Sequence, residues 1–208
     1  MLNTKALNPV AEADFPTAWG QFRIYGFEWQ SAAKVEEAVA LRMGELRPLE
    51  GKPAPLVRIH SQCLTGDVFH SLRCDCRAQL ELALETIAQE GRGLLIYEAQ
   101  EGRGIGLMNK LRAYQLQDQG LDTIEANEQL GFESDLRSYI LPGLIAQYFN
   151  RHFGMSQIRF MSNNPEKVQA MEQPGIHVVE RVPSLVAPVK SRQAYLETKR
   201  DRMGHLLG

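Results

Sequence analysis

The sequence predicts an α/β fold: a three-layer αβα-type domain around a mixed sheet, with a more antiparallel N-terminal part. Three observations predict it. From Leu56 onward, amphipathic helical stretches alternate with short apolar runs. Before Leu56 the pattern is extended and lacks a helical period. No internal repeat and no linker interrupts the 208 residues, so a single domain, 1–208, is expected.

The elements follow in order. Pro16-Thr17-Ala18-Trp19-Gly20 reads as a turn entering an alternating strand, Gln21 to Glu28. Ala38 to Arg42 is a second extended stretch, and Glu45 to Pro55, with Pro and Gly, is a loop. Leu56 to His60 is a strand that runs into the first cysteine. Leu80, Leu82, Leu84 and Ile87 place an amphipathic helix over Arg77 to Glu90, closed by Gly91. Gly93 to Tyr97 is a buried strand, followed by a glycine-rich loop, Glu101 to Gly106, and a helix from Leu107 to Gln119 that ends at Gly120. Helices over Leu141 to Phe153 and Pro165 to Met171 alternate with strands Ile158 to Met161 and His177 to Val182. A last helix is expected from about Gln193.

Composition narrows the function classes. Apolar residues make up 44% and charged residues 23%, ordinary for a globular protein, and the net charge of −2 provides no global field to recruit nucleic acid. No stretch is long enough to span a bilayer and Met1 to Lys5 has no apolar run, so no membrane partner and a cytoplasmic location are expected.

Cysteine usage is more informative. Cys63, Cys74 and Cys76 are the three cysteines, an odd number crowded into one window. Residues two apart in an extended segment face one side, so the Cys74 and Cys76 thiols can reach one ion, with Cys63 arriving from a neighbouring turn. Zinc takes thiolates readily, and three protein ligands plus water is its catalytic arrangement. A closed structural site would need a fourth ligand, for which His60 or His70 is a candidate. Three small buried apolar side chains are the plain alternative, but Arg73, Asp75 and Arg77 are polar neighbours.

The stretch Arg58-Ile59-His60-Ser61-Gln62-Cys63-Leu64-Thr65-Gly66-Asp67, then Ser71-Leu72-Arg73-Cys74-Asp75-Cys76, resembles GTP cyclohydrolase II. The resemblance continues through Gln100-Glu101-Gly102-Arg103-Gly104-Ile105-Gly106-Leu107, Asn109-Lys110, Ala113-Tyr114, Asp122-Thr123, Asp135 with Arg137, and Asn163-Asn164-Pro165 with Lys167. It persists to Met203-Gly204-His205-Leu206.

The resemblance implies hydrolysis of GTP to 2,5-diamino-6-ribosylamino-4(3H)-pyrimidinone 5′-phosphate, formate and pyrophosphate, the first committed step of riboflavin synthesis. It implies one Zn²⁺ per subunit on Cys63, Cys74 and Cys76, activating the water that attacks C8 of guanine. Tyr114 matches a tyrosine needed for that chemistry, Asp135 a proton acceptor, and Arg137 a nucleophile on the α-phosphorus. Arg58, Gln62, Gln79, Glu101, Gly102, Arg103, Thr123, Ser162 and Lys167 fall at nucleotide-contacting positions. Mg²⁺ on the triphosphate and a homodimer are further implications.

Read without the resemblance, several of these residues say less. Tyr114 is a tyrosine on a helix, Asp135 a cap or a solvated acid, and Lys167 a solvated lysine near a helix start. A guanidinium stays protonated, so a phosphate clamp is as good a role for Arg137 as nucleophile. The Glu101 to Gly106 loop suits phosphates through glycine backbone, Arg103 and the amides of the next helix, but E-G-R-G-x-G alone is a common turn. Two departures stand out. Gln62 precedes the first cysteine where the family has glutamate, and Ser162 stands where threonine is common. Gln62 leaves open a paralogue with altered product or purine specificity. A non-catalytic zinc-stabilised nucleotide-binding module is the reading from another class.

Overall fold

The structure, a computed structural model, describes residues 7–31, 34–133 and 135–186. Strands β1 (Leu7–Thr17), β2 (Gly20–Gln30) and β3 (Val35–Met43) pair antiparallel in sequence order. β3 also pairs antiparallel with β5 (Gly93–Glu98). From β5 the sheet turns parallel, through β4 (Leu56–Ser61), β6 (Gln157–Met161) and β7 (His177–Val182). The order across the sheet is β1-β2-β3-β5-β4-β6-β7. The mixed sheet and the antiparallel N-terminal part are as the sequence predicts.

Alternation along the strands builds two cores. Tyr25, Phe27, Ala38, Ala40, Val57, Ile59, Leu94 and Ile96 face α5 (Ile140–Phe153) and α6 (Pro165–Glu172). Phe22, Leu41, Leu56, Leu95 and Met161 face α2 (Cys76–Glu90) on the other side. Helices on both faces make three layers. α2 anchors itself with Ala83, Leu84 and Ile87, all buried, and burying Leu84 and Ile87 contributes about 1.5–3 kcal/mol each. It stops at Gly91, whose φ of 65° lies in the left-handed region that favours glycine.

This topology creates a crevice. The β4–α2–β5 crossover moves to one side of β4, and β6–α6–β7 moves to the other. Crossovers of one hand moving in opposite directions place their helices on opposite faces. The carboxyl ends of β4 and β6 therefore flank a switch point, where ligands bind in open α/β sheets.

The sequence reading missed three elements and misread a fourth. β1 is exposed along almost its whole length, and Pro9 and Pro16 hide it. It is an edge strand held by its pairing with β2, with an irregularity between Pro9 and Ala11. α1 (Leu64–Asp67) is a single turn after Cys63. α4 (Thr123–Gln129) opens with a capping box, in which Asp122 accepts from the Ile124 and Glu125 amides and Glu125 reaches back to the Asp122 amide. The helix expected over Leu107 to Gln119 is α3, Leu107–Gln117. Cys74-Asp75-Cys76 is not extended: Asp75 has φ −103° and ψ 8°, and Cys76 is the first residue of α2. The helix expected from Gln193, with His205, lies outside the described residues.

Candidate active site and metal centre

β4 delivers its last residues into the crevice. Its end, Ser61, is followed by Gln62 and by Cys63, which opens α1. Asp67 closes that turn from within. Its buried carboxylate accepts from the Cys63 amide at 3.0 Å, from the Tyr97 hydroxyl at 2.9 Å and from His60 Nε2 at 3.1 Å. The His60 ring stacks on Tyr97 with centroids 5.5 Å apart. Burial pushes the His60 pKa down, so the ring is neutral at pH 7. With Nε2–H on Asp67, Nδ1 is an acceptor, and it has no partner among the described residues.

The three sulfurs gather in front of this turn. All three Sγ atoms lie within 4.8 Å of one another, and Cys63 and Cys74 are 3.6 Å apart. Gly66 makes room for them: a Cβ there would lie 2.8 Å from Cys74 Sγ and 3.1 Å from Cys63 Sγ. Three adjacent thiols cannot all ionise without a cation. Hydrogen bonds from Cys74 and Cys76, with the Lys110 ammonium, hold Cys63 far below the ordinary thiol range. Cys74 and Cys76 are pushed up, first by their hydrogen bonds to Cys63. Without metal the cluster is one thiolate and two thiols, and a divalent cation would replace the two protons. The sulfurs fit zinc, because a tetrahedral centre with Zn–S of about 2.3 Å has S···S edges of about 3.8 Å.

Further contacts tie this cluster to α3 and to the glycine loop. Lys110 Nζ donates to Cys63 Sγ at 3.1 Å and to Glu101 Oε1 at 2.7 Å. The other Glu101 oxygen accepts from the Leu64 amide at 2.6 Å. Tyr114, one turn along α3, places its hydroxyl 3.2 Å from Thr65 Oγ1, which is itself 3.6 Å from Cys63 Sγ. Burial pushes the Tyr114 pKa up, so the phenol is protonated at neutral pH.

The opposite wall is cationic. Arg58 donates to the Met161 carbonyl at 3.1 Å and to Gln79 Oε1 at 2.7 Å, and burial lowers its pKa only to about 10. Lys167, buried, donates to the Ile59 carbonyl at 3.1 Å and to Ser61 Oγ at 3.0 Å. Arg137 grips Asp135 through Nε at 2.9 Å and Nη2 at 2.5 Å. Burial opposes charge on both, yet their pairing holds Asp135 below the usual carboxylate range and Arg137 above the usual arginine value. Arg103 sits at φ 59°, a strained conformation for a side chain with a Cβ. Both of its terminal nitrogens are buried without a partner among the described residues. A guanidinium with that much unused donor capacity lacks an anion.

The comparisons with known proteins agree with this geometry. The family model described as GTP cyclohydrolase II matches residues 8–183. The chain belongs to the GTP cyclohydrolase II family. A GTP cyclohydrolase-2 of Shewanella amazonensis is 50% identical over 95% of this chain and 92% of its own. Those of Citrobacter koseri and Escherichia coli O9:H4 are each 51% identical over 97% of this chain and 98% of theirs. Among solved structures, a two-domain 3,4-dihydroxy-2-butanone 4-phosphate synthase from A. baumannii aligns loosely, at TM-score 0.47 and 16% identity, over 90% of this chain and 42% of that one.

Within this GTP cyclohydrolase II chain, the residues named from the sequence converge. All of them except Asp135 line one cavity between the thiol cluster and the cationic wall. Asp135 stands behind the wall on Arg137, and is neither a helix cap nor a solvated acid. Gln62 lines the cavity, and its amide is fixed to the Glu98 carbonyl at 2.9 Å. Thr123 begins α4, and the Ser162 hydroxyl is bound within its own turn to Asn164. Lys167 is buried, not solvated. His70 is exposed and His60 is held by Asp67, so neither completes a fourth ligand. Lys110, Glu98, Asp67 and Thr65 were not assigned roles from the sequence. Thr65, Asp67 and Lys110 lie in the segments that carry the resemblance, and the spacing of Lys110 to Tyr114 was a further signal, since residues four apart share a helix face.

Proposed function

We propose that this chain hydrolyses GTP to the diaminopyrimidinone ribosyl 5′-phosphate, formate and pyrophosphate, and so serves riboflavin synthesis. One observation carries the reading: three converging thiols and a wall of arginine and lysine share a single cavity. Cys63, Cys74 and Cys76 would hold one Zn²⁺, which acidifies water when bound. The purine then lies toward the thiols, beside Gln62, and the triphosphate with its Mg²⁺ lies toward Arg58, Arg103, Arg137 and Lys167. Glu101, Gly102, Gln79, Thr123 and Ser162 line the path between.

Tyr114 keeps its proton at neutral pH and presents its hydroxyl beside the thiols, the place of a donor to a developing charge on the opening ring. Arg137 has its guanidinium shared with Asp135 and no free lone pair. This favours a clamp that stabilises the transferring phosphoryl group over a nucleophile. Asp135, bound to Arg137 through both oxygens and held below the usual carboxylate range, then orients that clamp, and water is the nucleophile on the α-phosphorus, its proton leaving to solvent or on the departing pyrophosphate.

A homodimer is part of the proposal. Val68, Phe69 and Leu72, in the loop between Cys63 and Cys74, are exposed apolar side chains, as are Met108 and Leu111 of α3. A second copy of the chain is their proposed cover. The free thiols fit a reducing compartment, and we assign the protein to the cytoplasm.

Incubation of the full chain with GTP, zinc and magnesium, with formate and pyrophosphate assayed separately, tests the reading. Equimolar release is expected. Pyrophosphate without formate would defeat it and favour the second reading, a paralogue with altered product or base specificity, which the neutral Gln62 motivates. GTP bound but unchanged would instead indicate a non-catalytic nucleotide-binding module.

A further inference from the structure

Glu98 ends β5 and is 1% exposed, yet the mechanism above gives it no task. Its surroundings are specific. Ser61 Oγ donates to Glu98 Oε1 at 2.5 Å, and Gln100 Nε2 donates to Oε2 at 2.8 Å. The same Ser61 oxygen accepts from Lys167 Nζ at 3.0 Å and lies 3.5 Å from Arg137 Nη1. One hydroxyl therefore joins a buried carboxylate to two cations of the cavity wall. A buried carboxylate is costly unless it is hydrogen-bonded and balanced by opposite charge; this one has two hydrogen bonds, and the charges of Lys167 and Arg137 act on it across the Ser61 bridge.

We propose that Glu98 is a positioning residue for the phosphate end of the site: through Ser61 it fixes Lys167 and Arg137 at the carboxyl ends of β4 and β5 and supplies the countercharge both share. The proposal rests on the reading that this cavity takes a nucleoside triphosphate. Lys167 is surrounded from several elements. Ser61, the Ile59 carbonyl and Arg58 face it from β4, and Glu98 faces it from β5. Arg137, Asp135 and the Tyr139 ring, 5.2 Å away, face it from the segment before α5. Burial pushes Lys167 down to about 7, against the pull of Glu98, while Arg137 and Arg58 push it further down. Burial pushes Glu98 up, against Lys167. Removing the carboxylate leaves Lys167 with two cationic neighbours and one acid fewer. It then deprotonates at lower pH, and the wall loses a charge in the physiological range.

The test uses the zinc-loaded, nucleotide-free full chain with ¹³C-labelled lysine, the Lys167 signal being identified with Lys167→Arg. Inorganic tripolyphosphate is the calorimetric probe. Glu98→Gln is expected to move the Lys167 titration to lower pH. Its affinity for tripolyphosphate at pH 8 should fall about tenfold for each unit moved. At a pH below both midpoints, where Lys167 is protonated in both proteins, affinity should be equal to or tighter than that of the natural chain. Glu98→Asp retains the charge and should retain the midpoint. Ser61→Ala keeps both charges but removes the bridge, and should weaken tripolyphosphate binding at every pH. An unchanged midpoint in Glu98→Gln, or unchanged affinity in Ser61→Ala, would overturn the proposal. Absence of tripolyphosphate binding by the natural chain would instead remove the triphosphate reading, since the Lys167 titration reports on Glu98 without any ligand.

Discussion

Gly66→Ala separates metal-site geometry from fold stability, because the two respond with opposite sign. Gly66 lies in the helical turn α1 and has no left-handed φ. In a helix, replacing glycine by alanine normally stabilises by about 0.5–1 kcal/mol. Here the new methyl would stand 2.8 Å from Cys74 Sγ, 3.1 Å from Cys63 Sγ and 3.2 Å from Cys76 Cβ. Carbon and sulfur cannot approach so closely, so a thiol must move. Rotating Cys74 relieves the contact, but it removes that sulfur from the triad. Overpacking of this kind costs about 1–3 kcal/mol. At 1.4 kcal/mol per tenfold, zinc should bind roughly 5- to 150-fold more weakly.

The assay is zinc competition against a chromophoric chelator, run beside thermal unfolding of the metal-free protein. Weaker zinc binding is expected together with an unchanged or raised midpoint of metal-free unfolding. Wild-type zinc affinity in Gly66→Ala would refute the claim that the glycine exists to seat the sulfurs.

Three other outcomes are expected. Cys74→Ser should lose bound zinc by elemental analysis and release no formate. Retained zinc would show that the cluster is not the metal site. Tyr114→Phe should reduce formate release by about 10²–10⁴-fold, the scale of a general acid or base, and reduce pyrophosphate release far less. Equal losses would contradict the division between the thiol end and the cationic end. Triphosphate affinity should depend on pH through Lys167, whose pKa is lowered to about 7. Below pH 7 the ammonium is charged and binding is strong; above it the charge and the affinity fall, and Lys167→Arg, charged throughout, should remove that dependence in calorimetry.

What was legible in the sequence was local. Leu80, Leu82, Leu84 and Ile87 announce α2, the alternation from Gln21 to Glu28 announces β2, and the short run from Leu56 to His60 announces β4, which is buried on both faces. The capping box of α4, Asp122 with Glu125, is a local signal that the sequence reading passed over. What failed depended on distant partners. β1 buries little of its own surface and exists through β2. Cys74 and Cys76 converge through the bend at Asp75, whose carboxylate accepts from Gln79 Nε2 in the first turn of α2. Glu98 drew no reading from the sequence, and only the return of α6 brings Lys167 near it. The site was legible as residue types with reactive chemistry, whereas their mutual distances arise from the crossover between β4 and β6.

That crossover explains why the two ends of the cavity behave as one unit. Glu101 follows β5, yet its two oxygens hold the Leu64 amide beside Cys63 and the Lys110 ammonium of α3, and Oε1 also accepts from the Gly102 amide at 3.0 Å. A single carboxylate thus joins the cysteine turn, the helix carrying Tyr114 and the loop carrying Arg103. Removing it would leave the Leu64 amide unpaired, a cost of about 1–3 kcal/mol, and leave the Lys110 ammonium with Cys63 Sγ but no carboxylate. Displacement of Lys110 would also remove the cation beside Cys63 Sγ. Damage at this point reaches the sulfurs and the strained Arg103 loop together, so binding at one end is not independent of geometry at the other. The acid beside the glycines therefore serves as a brace between the two chemistries, and contact with a nucleotide would come in addition to that work.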